Sequence, residues 1–99
     1  MQKIVKEFNE KYMKGMSAEN RMLDIVSEVG ELSKEILKAT DYGTKEFEVT
    51  EDLKLELGDA LYSLLSFAHE NGIDAEDAVK KVVDKYAKRF AKKGHIGSN

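Results

Sequence analysis

The chain has 99 residues, with 16 basic and 19 acidic side chains, a net charge of −3, no cysteine and no proline. That length suits a single domain with a modest core, the missing cysteines exclude disulfides, thiolate metal sites and a cysteine nucleophile, and the balanced charge argues against binding a nucleic-acid polymer, which needs a basic surplus. No apolar run approaches the ~20 residues of a membrane span and the N-terminus lacks the apolar stretch of a signal peptide, so the expected setting is soluble and cytoplasmic, with no membrane partner.

Helix formers dominate, 35% of residues are charged, and the class expected is all-α. Residues 2–14 read as a first helix, with Ile4, Val5, Phe8 and Tyr12 at helical spacing and Gly15 as its stop. Ser17 or Asn20 can cap the second helix, about residues 18–39. On it Met22, Ile25, Val29, Leu32 and Ile36 form an apolar stripe, and Asp24, Glu28, Glu31 and Glu35 form an acidic stripe beside it. Residues 40–50 break the period and read as a loop, with Thr50 as the next N-cap. The third helix, about 51–71, is apolar nearly all round (Leu53, Leu57, Ala60, Leu61, Leu64, Leu65, Phe67, Ala68), which predicts burial, and Asn71-Gly72 ends it. Asp74 caps a fourth helix, about 75–93, with Asp77 as its capping-box partner; Val79, Val82, Val83, Tyr86 and Phe90 are expected to face inward. Gly94 stops that helix and the tail from about 94 is expected to be loose.

Two tetrapeptides carry the chemistry: Glu28-Val29-Gly30-Glu31 on the second helix and Glu56-Leu57-Gly58-Asp59 on the third. Residues three apart share a helix face, so each tetrapeptide points two acids the same way. Unpaired carboxylates among core residues are costly and would take up protons unless a cation neutralises them. An all-oxygen ligand set suits Mg²⁺, Mn²⁺ or Ca²⁺ rather than zinc, and Mg²⁺ commonly shares its shell with substrate phosphates. Gly30 and Gly58 each precede the second acid of a pair, at a cost of about 1 kcal/mol relative to alanine, and predict close approach of another backbone or a ligand. Asp24 and Glu35 read as an exposed edge of the acidic stripe, with Lys38 in reach.

Other readings compete. A di-iron bundle needs Glu-x-x-His on two helices, but Ser66 stands three residues before His69, and His95 lies in the tail. There is no nucleophilic triad and no glycine-rich phosphate loop. On the fourth helix Lys81, Lys85, Lys88 and Lys92, with Arg89 beside them, read either as a solvated face or as a phosphate site in which Lys85 and Arg89 reach a triphosphate held over the carboxylates. Phe8, Tyr12, Tyr62 and Tyr86 read either as core or as stacking partners for a base.

At these residues the chain resembles the MazG-like, all-α nucleoside triphosphate pyrophosphohydrolases, whose mark is E-x-x-E, a spacer, then E-x-x-D: here Glu28/Glu31 and Glu56/Asp59. The Asn71-Gly72-Ile73-Asp74 turn and the basic fourth helix fit too, and the likeness covers about residues 17–92. The resemblance implies that the four acids bind Mg²⁺ (or Mn²⁺), which holds a nucleoside triphosphate while an activated water releases a nucleoside monophosphate and pyrophosphate, with Glu31 as the carboxylate taking the proton. It further implies a homodimer or dimer of dimers with bundles shared across chains, clearing non-canonical or surplus nucleotides. Two positions depart: Ser27 stands where many relatives have a second Glu, and Tyr86 where many have Asn near the basic pair, a place tied to base and sugar recognition. The expectation is a four-helix MazG-like bundle completed by oligomerisation, the third helix being too apolar for a lone small monomer. The reading from another class is a helical interaction module whose acids are structural or merely bind an ion.

Overall fold

A computed structural model describes residues 1–93, so the tail from about 94, including the stop expected at Gly94, lies outside the described residues. Four helices and no strand are found among the described residues: α1 (Gln2–Tyr12), α2 (Ala18–Ala39), α3 (Glu51–Glu70) and α4 (Ala75–Lys93). The fold is all-α. None of its helices is long and apolar enough to cross a membrane.

Polar caps set the helix starts. The side-chain oxygens of Ser17, Thr50 and Asp74 accept from the backbone N–H three residues on, at 3.2, 3.1 and 3.0 Å, satisfying donors that the first turn leaves open. Asp77 does not return the bond as a capping-box partner; its carboxylate pairs with Lys81 at 3.0 Å. α1 ends earlier than expected: Met13 is already extended (φ −118°, ψ 146°), two residues before Gly15. Gly72 closes α3 at φ +67°, which lets Ile73 N–H reach Ala68 O (2.8 Å) and Gly72 N–H reach His69 O (3.3 Å). α2 closes in the same pattern without glycine at the critical place: Asp41 and Tyr42 take φ +47° and +57°, and their N–H groups bond back to Lys38 O and Leu37 O.

α3 is the central element, and α2 and α1 both pack along it. Both run antiparallel to it. Arg21 meets Glu70 and Asp24 meets Ser63, while Gln2 meets Ile73 and Asn9 meets Ser66. α1 and α2 therefore lie parallel to each other on two faces of α3.

The packed faces differ from the apolar stripes. On α2 the inward residues are Arg21, Asp24, Ile25, Glu28, Leu32 and Glu35, whereas Met22, Val29 and Ile36 are exposed. On α3 the buried residues are Ala60, Ser63, Ser66 and Ala68; Leu57 and Leu64 are exposed, so the helix is not enclosed on all sides. Two adjacent stripes share one period, and periodicity alone does not say which of them meets a neighbour in the same chain. α4 departs furthest. It packs along none of the other three helices, and Val79, Val83 and Phe90, expected to face inward, are about 60% exposed (61, 59 and 60%).

Candidate metal centre

The register just described brings the two acidic tetrapeptides to one level of the α2–α3 seam. Glu28 from α2 and Glu56 and Asp59 from α3 each present a carboxylate oxygen within 4.8 Å of the others. Glu28 and Glu56 are half-buried and Asp59 is exposed. Oxygens bound to one hard cation at about 2.1–2.5 Å lie no more than about 5 Å apart across it, so this spacing suits a shared Mg²⁺, Mn²⁺ or Ca²⁺. The set is all carboxylate, the chemistry such ions take.

The electrostatics agree. Burial, then the charges of Asp59, Asp24, Glu56 and Glu31, raise the Glu28 carboxyl above its ordinary value. Burial, then Asp59, Glu31, Glu35 and Asp52, raise Glu56. Acid faces acid with no basic group among the strongest influences on either, and a divalent cation placed among them reverses the sign of that field.

Glu31 is outside the group of three. It sits exposed on α2, one turn beyond Glu28, close enough to act on both raised carboxyls but not in the shared cluster. Lys85 and Arg89 are not brought to the acids. They stand on α4, which packs along no other helix, and each lies by the ring of Tyr86, with Lys85 Nζ 5.6 Å and Arg89 Cζ 6.0 Å from its centroid. Three other α4 cations form exposed i,i+4 pairs, Lys80–Glu76, Lys81–Asp77 and Lys88–Asp84, as on an ordinary solvated face. Gly30 and Gly58 stand in the open: a Cβ at either would meet nothing within 4 Å, so none of the described elements makes the close approach expected there.

Asp24 and Glu35 were expected on an exposed edge and are instead part of the seam. Glu35 does pair with Lys38, at 3.3 Å. Asp24 belongs to a network that sequence reading missed. Arg21, 2% exposed, grips Glu70 with two parallel bonds, Nε to Oε1 at 3.0 Å and Nη2 to Oε2 at 2.8 Å, and reaches Asp24 Oδ2 with Nη1 at 3.1 Å. Ser63 Oγ donates to the same Asp24 oxygen at 2.7 Å. Across α3, Asn9 donates to Ser66 at 2.9 Å and accepts from the Tyr62 hydroxyl. The signal was present: Arg21, Glu28 and Glu35 are seven apart, as are Glu56, Ser63 and Glu70. That spacing describes a polar seam between two antiparallel helices rather than two separate acid pairs.

Residues 16–93, from the loop before α2 to the end of α4, match the family model described as MazG nucleotide pyrophosphohydrolase domain. No curated protein and no solved structure matches the chain significantly.

Proposed function

The chain belongs to the MazG nucleotide pyrophosphohydrolase family, and from that membership we propose that it is a Mg²⁺-dependent nucleoside triphosphate pyrophosphohydrolase, converting NTP and water to NMP and pyrophosphate. The convergence of Glu28, Glu56 and Asp59 within the matched segment carries this reading. Glu28 and Glu56, half-buried and mutually repelling, would hold a cation from two helices at once, and Asp59 would complete the set from the exposed side. The bound ion, Mg²⁺ or in its place Mn²⁺, polarises phosphoryl oxygens and lowers the pKa of water. Glu31, solvent-facing and one turn away, takes the proton of the water that attacks the α-phosphorus as the bond to the β-phosphate oxygen breaks. The role in the cell is removal of non-canonical or surplus nucleotides.

The reading includes a homodimer or dimer of dimers. Its support is the apolar surface that one copy leaves bare: Leu23, Val26 and Leu55, besides the exposed apolar residues of α4. The Cα radius of gyration is 16.7 Å, against about 13 Å for a compact chain of 100 residues. A second copy also supplies what α4 lacks in its own chain, a way for Lys85 and Arg89 to reach phosphates over the acids.

The test is a product assay with Mg²⁺ and a panel of canonical and modified nucleotides. Monophosphate plus pyrophosphate is expected. Orthophosphate alone means different chemistry, and absence of turnover together with Mg²⁺ binding that Glu56→Gln leaves intact turns the chain into a non-catalytic helical module. Light scattering at micromolar concentration checks the assembly, and a monomer there removes it.

A further inference from the structure

We propose that Phe8, Tyr12 and Tyr62 form the stacking surface for the nucleobase of the substrate; this rests on the pyrophosphohydrolase reading and adds to it where the base sits. The three rings are gathered against one another on α1 and α3. Phe8 and Tyr12 have centroids 5.0 Å apart, and Phe8 meets Tyr62 edge-on at 6.1 Å.

Their position follows from the register. Gln2 bonds at Ile73 and Ala75, and Asn9 bonds at Ser66 and Tyr62. Continuing that antiparallel run puts Tyr12, the last residue of α1, near the level of Asp59 and Ala60 on α3. α2 reaches the same level from its own side, where Glu28 meets Glu56 and Asp59. Around α3, at about 100° per residue, Asp59 points between Ser63, which faces α2, and Tyr62, which faces α1. The seam thus opens where α1 stops: Ser66, deeper in it, is fully buried while Asp59 is exposed. The acids form one side of that opening and the rings the other.

Phe8 and Tyr12 are tilted 42° to each other and Tyr62 stands at 80° to Phe8, so a base stacks on one ring and meets the others at an angle. The hydroxyl of Tyr62 is tied to Asn9, which Ser66 holds in turn, so the far end of that ring is anchored before anything binds. Phe8 and Tyr12 are 47 and 63% exposed, and Lys11 Nζ lies over the Tyr12 ring, 5.2 Å from its centroid, so the rings offer solvent-facing aromatic surface with a cation at its edge. A nucleoside triphosphate has the matching pair of ends, anionic phosphates for the cation and a π-face for the rings. Stacking accepts every base, since each has a π-face, so discrimination among bases through these rings is small.

The experiment measures binding of the full chain to a non-hydrolysable nucleoside triphosphate and to inorganic tripolyphosphate by titration calorimetry with Mg²⁺ present. The wild type is expected to favour the nucleotide by about tenfold or more, in line with the worth of one base stacked on aromatic side chains. Phe8→Leu/Tyr12→Leu should lose most of that preference while tripolyphosphate affinity stays within about twofold. Equal loss for both ligands, an unchanged preference, or a changed assembly size by light scattering overturns the assignment and returns the rings to packing. If the wild type binds neither ligand, the pyrophosphohydrolase reading falls together with this one; if it binds both and the variant behaves like it, only this one falls.

Discussion

Replacing Arg21 by methionine tests whether the polar seam holds the helices that carry the metal centre. Methionine keeps the length of the stem and removes the charge. Glu70, whose side chain is 11% exposed, then loses both bonds from the guanidinium and keeps only a long one from the Met16 N–H at 3.4 Å. Removing one partner of a buried ion pair costs about 3–5 kcal/mol. Asp24 adds little, since its side chain is 30% exposed and keeps Ser63, so the low end, about 3 kcal/mol, is expected. Glu70→Met added to Arg21→Met should recover most of the loss, to within about 1 kcal/mol of the wild type, because well-packed apolar residues can replace a buried pair. Urea unfolding followed by helical circular dichroism, at fixed protein concentration and with Mg²⁺ present, gives both numbers. The pH dependence adds a signature. Bonding to Arg21, only partly opposed by burial, holds the Glu70 carboxyl below its ordinary 4.5. A depressed carboxyl contributes stability that is present above 4.5 and lost as pH falls through the folded-state value. Arg21→Met should lose that acid-side slope. A single variant costing under about 1 kcal/mol, or a double variant worse than the single, would refute the seam as a load shared by Arg21 and Glu70.

Glu56→Gln should lower turnover by at least about 100-fold, since even partners one shell out from a metal cost 10–100-fold, while the metal-free protein becomes more heat-stable through lost repulsion; an active variant disproves Glu56 as a ligand. The raised Glu28 and Glu56 carboxyls have the opposite sign to Glu70: their contribution is present below 4.5 and lost as pH rises through the folded-state values. Melting in EDTA should therefore show this loss towards neutral pH, and Mg²⁺ should raise the midpoint more at pH 7 than at pH 4.5; an equal rise at both contradicts the cluster as its site. Gly72→Ala should cost about 1 kcal/mol by the same unfolding assay, because φ +67° strains any side chain there and not because of crowding, the space around it being open.

The N-caps of α2, α3 and α4 were legible because local chemistry sets them: Ser17, Thr50 and Asp74 each bond within one turn of their own helix. The acids that converge were legible for a similar reason, since Glu56 and Asp59 share a face whatever surrounds them. Which face of α2 meets α3 was not legible from hydropathy. Met22, Val29 and Ile36 make the stronger apolar stripe, yet Arg21, Glu28 and Glu35 meet the neighbour, because ion pairs and serines satisfy the seam. Where Lys85 and Arg89 reach was not legible for another reason. Their spacing on α4 is local, but their distance from the acids depends on a packing that α4 does not make within this chain.

The two kinds of surface have a common cause. A seam of carboxylates between α2 and α3 gives up apolar contact where a small domain can least spare it, and Val5, Ile25, Ala60 and Ala68 are the only apolar residues buried among those described. The apolar side chains displaced from the seam lie on the outer faces, where another copy can cover them. Charge is balanced at both ends of the seam, by Arg21 with Glu70 and by Lys38 with Glu35. Between those ends Glu28, Glu56 and Asp59 form no ion pair with another of the described residues. A cation there binds the folded chain and not the unfolded one, so it raises stability by RT ln(1 + [L]/Kd), about 2.7 kcal/mol at a hundredfold excess over Kd. Association adds to stability by the same mass action. On the proposed reading, metal and partner would therefore act in the same direction on a chain whose own core is small, and diluting the protein in EDTA should unfold it far more readily than either treatment alone.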